Sequence, residues 1–111
     1  MKVNCRKQDG VAIIAIQGKM MGGPDTGELD EKLYALLGKD TKTAIVNLAG
    51  CEWINSSGLS ILIHHYKKFR DAGGELKLAN LTDKIERIMV ISRLTEVFKV
   101  YDSVDAALKD N

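Results

Sequence analysis

The residues best placed to do chemistry fall in one run, Asn55-Ser56-Ser57-Gly58, between a strand-like apolar segment and the most regularly patterned helix of the chain. A hydroxyl at the start of a helix has two uses. It can accept a hydrogen bond from a free backbone N–H and so cap the helix. It can also carry a phosphate, because the helix dipole and the unpaired N–H groups tolerate negative charge there. A phosphate would present about −1.5 to −2 units of new charge to anything docked on it. The junction between a central strand and a following helix is also where α/β sheets usually receive ligands and partners.

Other residues fit enzyme templates less well. Gly18 and Gly23 have the separation of a phosphate-binding loop, but Pro24 stands where the lysine that reaches the outer phosphates must be. Ser56 and His64 cannot form a nucleophile and base pair along one helix, since eight residues of rise separate them by about 12 Å. His64 and His65 point about 100° apart, so they cannot chelate one metal from that helix, and both are expected at the surface or its boundary. Cys5 and Cys51 match no zinc or disulfide framework. Cys51 reads as a small apolar filler at a strand end. No catalytic or metal-ligating set and no cofactor site is expected.

The elements that must position the Ser56 turn can be read from periodicity. Val3–Gln8 and Val11–Ile16 flank Asp9-Gly10, a strong hairpin signal, and the second strand is expected to end at Gly18. Asp25 with Glu28 three residues later suggests a capped helix start, and Leu29, Leu33, Leu36 and Leu37 form one apolar face up to a C-cap at Gly38. Thr43–Ala49 reads as a central strand. Leu59, Leu62, Ile63, Tyr66 and Phe69 mark the helix after Ser56, which Gly73-Gly74 stops. Glu75–Ala79 alternates like a strand with one buried face, and Thr82–Ile91 carries Ile85, Ile88 and Met89 on one stripe. Phe98–Tyr101 is expected as a short strand, with Ser103 capping a last helix that turns Val104, Ala107 and Leu108 inward. The order β-β-α-β-α-β-α-β-α predicts an α/β fold, a mixed central sheet flanked by about four helices.

The chain has 111 residues, 45% of them hydrophobic, which suits one domain over residues 1–111 with its own core. Sixteen basic residues against fifteen acidic ones give a net charge of +1, which argues against a protein that binds nucleic acid chiefly through phosphates. No apolar stretch approaches the ~18 residues of a membrane span, and the first residues lack a signal-peptide core. A cytoplasmic protein is therefore expected.

The string Trp53-Ile54-Asn55-Ser56-Ser57-Gly58-Leu59-Ser60-Ile61-Leu62 resembles the signature of the anti-sigma factor antagonists, the single-domain bacterial STAS proteins, in which a strand runs into Asp-Ser-Ser-Gly-Leu and then a helix. The resemblance extends over essentially the whole chain. It implies a mixed sheet flanked by helices and a function in partner switching. The unphosphorylated protein would bind an anti-sigma factor that is also a serine kinase with a histidine-kinase-like ATPase fold, freeing a sigma factor. Phosphorylation would release it, and a metal-dependent serine phosphatase would reset it. Carried onto this sequence, the acceptor is Ser56, with Ser57 a minor alternative. ATP and magnesium would belong to the kinase, and this chain would have no catalysis of its own. A monomer that forms heteromeric complexes is implied.

The sequence departs from the family pattern in two places. Asn55 stands where an aspartate is usual, and Lys19-Met20-Met21 replaces a segment that often carries acidic residues. Met20 and Met21 would offer an adaptable apolar surface to a partner. Together with Trp53, Asn55, Ser57 and Gly58 they form the expected partner-binding set. A second reading is a non-catalytic STAS adaptor within a transporter ATPase or a stress-sensing assembly, for which a replaced acceptor serine would be the sign. A third is a small-ligand or nucleotide binder at the same junction.

Overall fold

The computed structural model describes residues 1–37 and 41–110. Strand β1 (Lys2–Gln8) and strand β2 (Val11–Met20) form the expected antiparallel hairpin. Asp9 and Gly10 both take positive φ (53° and 79°), as a two-residue turn matched to the twist of the strands requires. Helix α1 (Pro24–Leu37), strand β3 (Thr43–Ile54), helix α2 (Ser56–Asp71), strand β4 (Glu75–Ala79), helix α3 (Asp83–Ile91), strand β5 (Val100–Tyr101) and helix α4 (Val104–Lys109) follow. The sheet runs in chain order, β1-β2-β3-β4-β5, parallel everywhere except the first pair.

One face of this sheet holds the main core. Ala12, Ile14 and Ile16 of β2, Val46 and Leu48 of β3, and Leu76 and Leu78 of β4 lie under Leu29 and Leu33 of α1, Leu62 and Phe69 of α2, and Ile85 and Met89 of α3. The alternate residues point the other way. Val11, Ile45 and Ala79 meet Ala107 of α4, with Tyr101, Val104 and Leu108 packed around them. Three helices thus cover one face, and the short α4 covers only part of the other.

Several boundaries differ from the sequence reading. β2 does not stop at Gly18 but runs to Met20, and β3 runs past Ala49 to Ile54, because the two extensions pair with each other through two register shifts. Helix α1 begins at Pro24, so Asp25 lies inside the first turn. Proline suits that place, since its missing N–H would have no partner there. The cap expected at Gly38 lies outside the described residues. Phe98 is a core residue rather than part of a strand, and a turn of 3₁₀ helix over Leu94–Glu96 precedes it.

β4 is buried on both faces, not one. Lys77 is almost fully buried under α4, where its ammonium donates to the carbonyl oxygens of Ala107 (3.0 Å) and Asp110. It serves as a C-terminal cap supplied from the sheet, satisfying carbonyls that a helix end leaves open. Ser103 caps α4 as expected, and Thr82, read from the sequence as the first residue of its helix, is instead the N-cap of α3. Thr82 Oγ1 accepts from the Ile85 N–H and Ser103 Oγ from the Ala106 N–H.

Candidate functional site

The site is built where β2 and β3 end together. Lys19 pairs with Trp53 and Met20 with Ile54, and the next backbone N–H, that of Asn55, donates to the Met20 carbonyl at 3.1 Å. The chain then turns directly into α2. Asn55, with extended backbone (φ −94°, ψ −178°), is the N-cap, its Oδ1 accepting from the Gly58 N–H at 2.9 Å. The capping role considered for Ser56 therefore falls to its neighbour. Ser56 opens the helix as an exposed residue, and its carbonyl accepts the Ser60 hydroxyl at 2.9 Å.

Gly58 is buried because α2 lies hard against the end of β2. A Cβ at this position would stand 2.5 Å from the Met20 carbonyl oxygen and 3.0 Å from Ile54 Cγ2. No side chain fits unless the helix or one of the two strand ends moves. Gly22 makes a matching approach from the other side. With φ at +80°, it brings the loop over Ser57, so that a Cβ there would come within 2.5 Å of the Ser57 Cβ. Asn55 fixes this loop as well, its Nδ2 donating to the Met21 carbonyl at 2.9 Å.

The expected partner-facing residues divide. Met21 is 45% exposed and Trp53 41% exposed, one on each strand end beside Ser56 and Ser57. Met20 is a correction. At 0% exposure it is a core residue, turned inward by strand alternation. Gly58 is buried too, so its contribution is to let α2 approach. Lys84 was not anticipated. Its ammonium lies 5.9 Å from the centre of the Trp53 ring, within reach of a cation–π contact. It also borders a shallow groove of about 480 Å³ lined by Ala49, Gly50, Cys51, Glu52 and Thr82. No spacing in the sequence links residue 53 to residue 84, because the packing of α3 beside β3 creates the contact.

The electrostatics at Ser56 are open to added charge. The first turn of α2 carries no acidic side chain, and basic side chains, Lys68 and Arg70, sit in the last turn. The N-terminal end thus keeps its partial positive character for whatever binds there. Cys51 is buried as expected, and burial pushes its thiol upward in pKa. Cys5 is exposed. Among the described residues, no group of three or more His, Cys, Asp and Glu side chains is arranged to hold a metal ion. No helix among them is long and apolar enough to cross a membrane.

The two histidines behave differently from one another. His64 is exposed and bonded to the Tyr34 hydroxyl, whereas His65 is fully buried, contrary to expectation, with Nε2 2.6 Å from Asp30 Oδ1. The signal was present in the sequence. His65 lies three residues after Leu62 and four before Phe69, on the same buried stripe. The pair bridges α1 and α2 away from Ser56.

Compared with known proteins, residues 2–107 match the STAS domain family. The chain belongs to that family. Among STAS relatives, BtrV of Bordetella bronchiseptica is 29% identical over 107 residues, covering 96% of this chain and 91% of BtrV. An anti-sigma F factor antagonist of Paenibacillus polymyxa is 21% identical over 110 residues, 99% of this chain and 94% of the relative. The STAS fold also superimposes on that of the Bacillus cell fate determinant SpoIIAA in its phosphorylated form. The TM-score is 0.77 at 14% identity, with 97% of each chain covered. The resemblance to anti-sigma factor antagonists and the mixed sheet with four helices are both borne out.

Proposed function

We propose that this STAS domain, acting as one unit over residues 1–111, is a cytoplasmic anti-sigma factor antagonist that works by partner switching at Ser56. The observation that carries the reading is the placement of an exposed Ser56 at the first turn of α2, outside the capping bond that Asn55 makes, where the paired ends of β2 and β3 also leave Met21 and Trp53 exposed. A relative named as an anti-sigma F factor antagonist, and a SpoIIAA fold known in a phosphorylated form, support the same function.

In this reading the unphosphorylated domain docks on an anti-sigma factor, burying Met21, Trp53, Ser57 and the start of α2, and thereby frees a sigma factor. The anti-sigma factor is also the serine kinase, with a histidine-kinase-like ATPase fold, and it brings the ATP and magnesium. A phosphate on Ser56 stays compatible with the free domain, because the N-terminus of α2 favours an anion and no neighbouring carboxylate on that turn opposes it. Within the docked surface the same phosphate has to be stripped of water. An unpaired buried charge costs several kcal/mol, and each 1.4 kcal/mol is about a factor of ten in affinity. Release therefore needs no refolding of either protein. A serine phosphatase restores the binding form, and the domain itself catalyses nothing.

The test is phosphorylation in vitro by the cognate anti-sigma kinase with ATP and magnesium, read by mass spectrometry. One phosphate on Ser56, and none on the Ser56→Ala variant, is the expected result. Phosphate on Ser57 in both proteins, or on neither, contradicts the assignment.

A further inference from the structure

The part of the sheet that α4 leaves bare is chemically one-sided. Strand register places Arg6, Ile13, Ile45 and Lys77 in one row across it and Asn4, Ala15, Asn47, Ala79 and Tyr101 in the next. Lys77, Ala79 and Tyr101 are taken up by α4, and the remainder stays open. On this open part Arg6 is the charged residue of both rows, and among the described residues it makes no ion pair. Its one side-chain bond among the described residues is from Nη1 to Gln8 Oε1 at 2.6 Å, which leaves most of the five donors of the guanidinium unused there.

Arg6 stands at the edge of a cavity of about 140 Å³ lined by Asn4, Cys5, Arg6, Ile13, Ala15 and Asn47. Its floor is apolar, made by Ile13 and Ala15. The amide of Asn47 is fixed in one orientation, because its Oδ1 already accepts the Ala49 N–H and the Asn80 Nδ2, each at 3.1 Å. What Asn47 still offers is its NH₂, a donor. Asn4 adds a second amide on the neighbouring strand. A guanidinium and amide donors above an aliphatic floor match a carboxylate attached to a short alkyl chain, since the fork of arginine fits two carboxylate oxygens at once. The volume admits a ligand of only a few heavy atoms, and no acidic residue of the two rows competes for Arg6.

We propose that this cavity, on the opposite face of the sheet from α1, α2 and α3, is a binding site for a small aliphatic monocarboxylic acid, with Arg6 holding the carboxylate and Ile13 and Ala15 the alkyl chain.

The experiment is a titration of the isotope-labelled full chain with sodium butyrate, followed by NMR at the Asn4 and Asn47 side-chain amides and the Ala15 methyl. Butyramide, which has the same shape without the charge, and inorganic phosphate, which has charge without an alkyl chain, are titrated in parallel at constant ionic strength. Saturable shifts confined to these residues are expected with butyrate, weaker by about tenfold or more with butyramide and with the Arg6→Gln variant. Spectra of Arg6→Gln that match wild type away from β1 show that the variant is folded. Non-saturable butyrate shifts, or equal binding by Arg6→Gln, overturn the site. Equal binding of phosphate and butyrate overturns the ligand class, leaving a plain anion site.

Discussion

The side-chain amide of Asn55 joins two segments 34 positions apart, donating to the Met21 carbonyl while accepting the Gly58 N–H that opens α2. One residue therefore sets both the start of the helix that carries Ser56 and the position of the loop beside it. Aspartate, the usual residue of the family here, could make the cap but not the bond to Met21, because a carboxylate has no hydrogen to donate.

That difference is measurable. Asn55→Ala loses cap and tether together and is expected to cost about 1–2 kcal/mol in urea unfolding. Asn55→Asp keeps the cap and gains from the helix dipole, so its stability is expected above that of Asn55→Ala. Amide exchange at Gly22 and Gly23 is expected to rise in both, since both release the loop. Protection of that loop in Asn55→Asp equal to wild type would show that the tether does not hold it.

Gly58→Ala places a methyl group 2.5 Å from the Met20 carbonyl oxygen. The strand end or the helix must yield, at an expected cost of about 1–3 kcal/mol in chemical denaturation. Gly27→Ala is the control, because a Cβ at position 27 of α1 meets nothing within 4 Å. There the higher helix propensity of alanine predicts a gain of up to about 1 kcal/mol.

Burial holds the His65 imidazole below its usual pKa, and the Asp30 carboxylate pulls in the opposite direction without overcoming it. His64 and Lys68 on α2 further oppose a positive charge on His65, and the Tyr34 ring packs edge-on against it. His65 Nδ1 is buried without a hydrogen-bond partner, so a proton placed there would be unsatisfied. The unfolded chain thus binds a proton more readily than the folded one. Stability from this group is full above the unfolded pKa of about 6.5 and falls as the pH drops toward the lower folded value. Urea midpoints at pH about 7.5 and about 5.5 are expected to differ more in wild type than in His65→Gln. An equal pH dependence in both would remove His65 from the account.

Lys77→Met keeps the aliphatic stem but removes the ammonium that caps α4. The expected loss is about 2 kcal/mol, in line with hydrogen bonds made by a charged group. The change should be local. Amides of Val104–Lys109 are expected to exchange faster, and the Tyr101 phenol, pushed up to about 12 by burial and by its bond to Asp110, is expected to titrate lower as the helix end loosens. Unchanged exchange in α4 would mean that packing of Val104, Ala107 and Leu108 holds it alone.

Much of the fold was legible because local chemistry dictated it. Asp9-Gly10, Ser103 and Gly73-Gly74 each act on their immediate neighbours, and all three stand where the sequence placed them. What was not legible depends on distant pairing. β2 and β3 lengthen only because Gly18–Met20 finds Cys51–Ile54, and that same pairing buries Met20 and exposes Met21. Lys77 reads outward by alternation until α4 returns to cover it. The Ser56 turn was recognised from its motif, whereas the tether from Asn55 and the approach of Lys84 to Trp53 required the tertiary fold.

The most direct test of the central claim is recovery of the partner on three baits, the wild-type chain, Ser56→Ala and Ser56→Asp, quantified by mass spectrometry. The account predicts that an ATPase-fold kinase is recovered with wild type and Ser56→Ala and lost with Ser56→Asp. Equal recovery of that kinase by all three baits, with no phosphate on Ser56 of the wild-type chain, would contradict it and make the domain a constitutive adaptor.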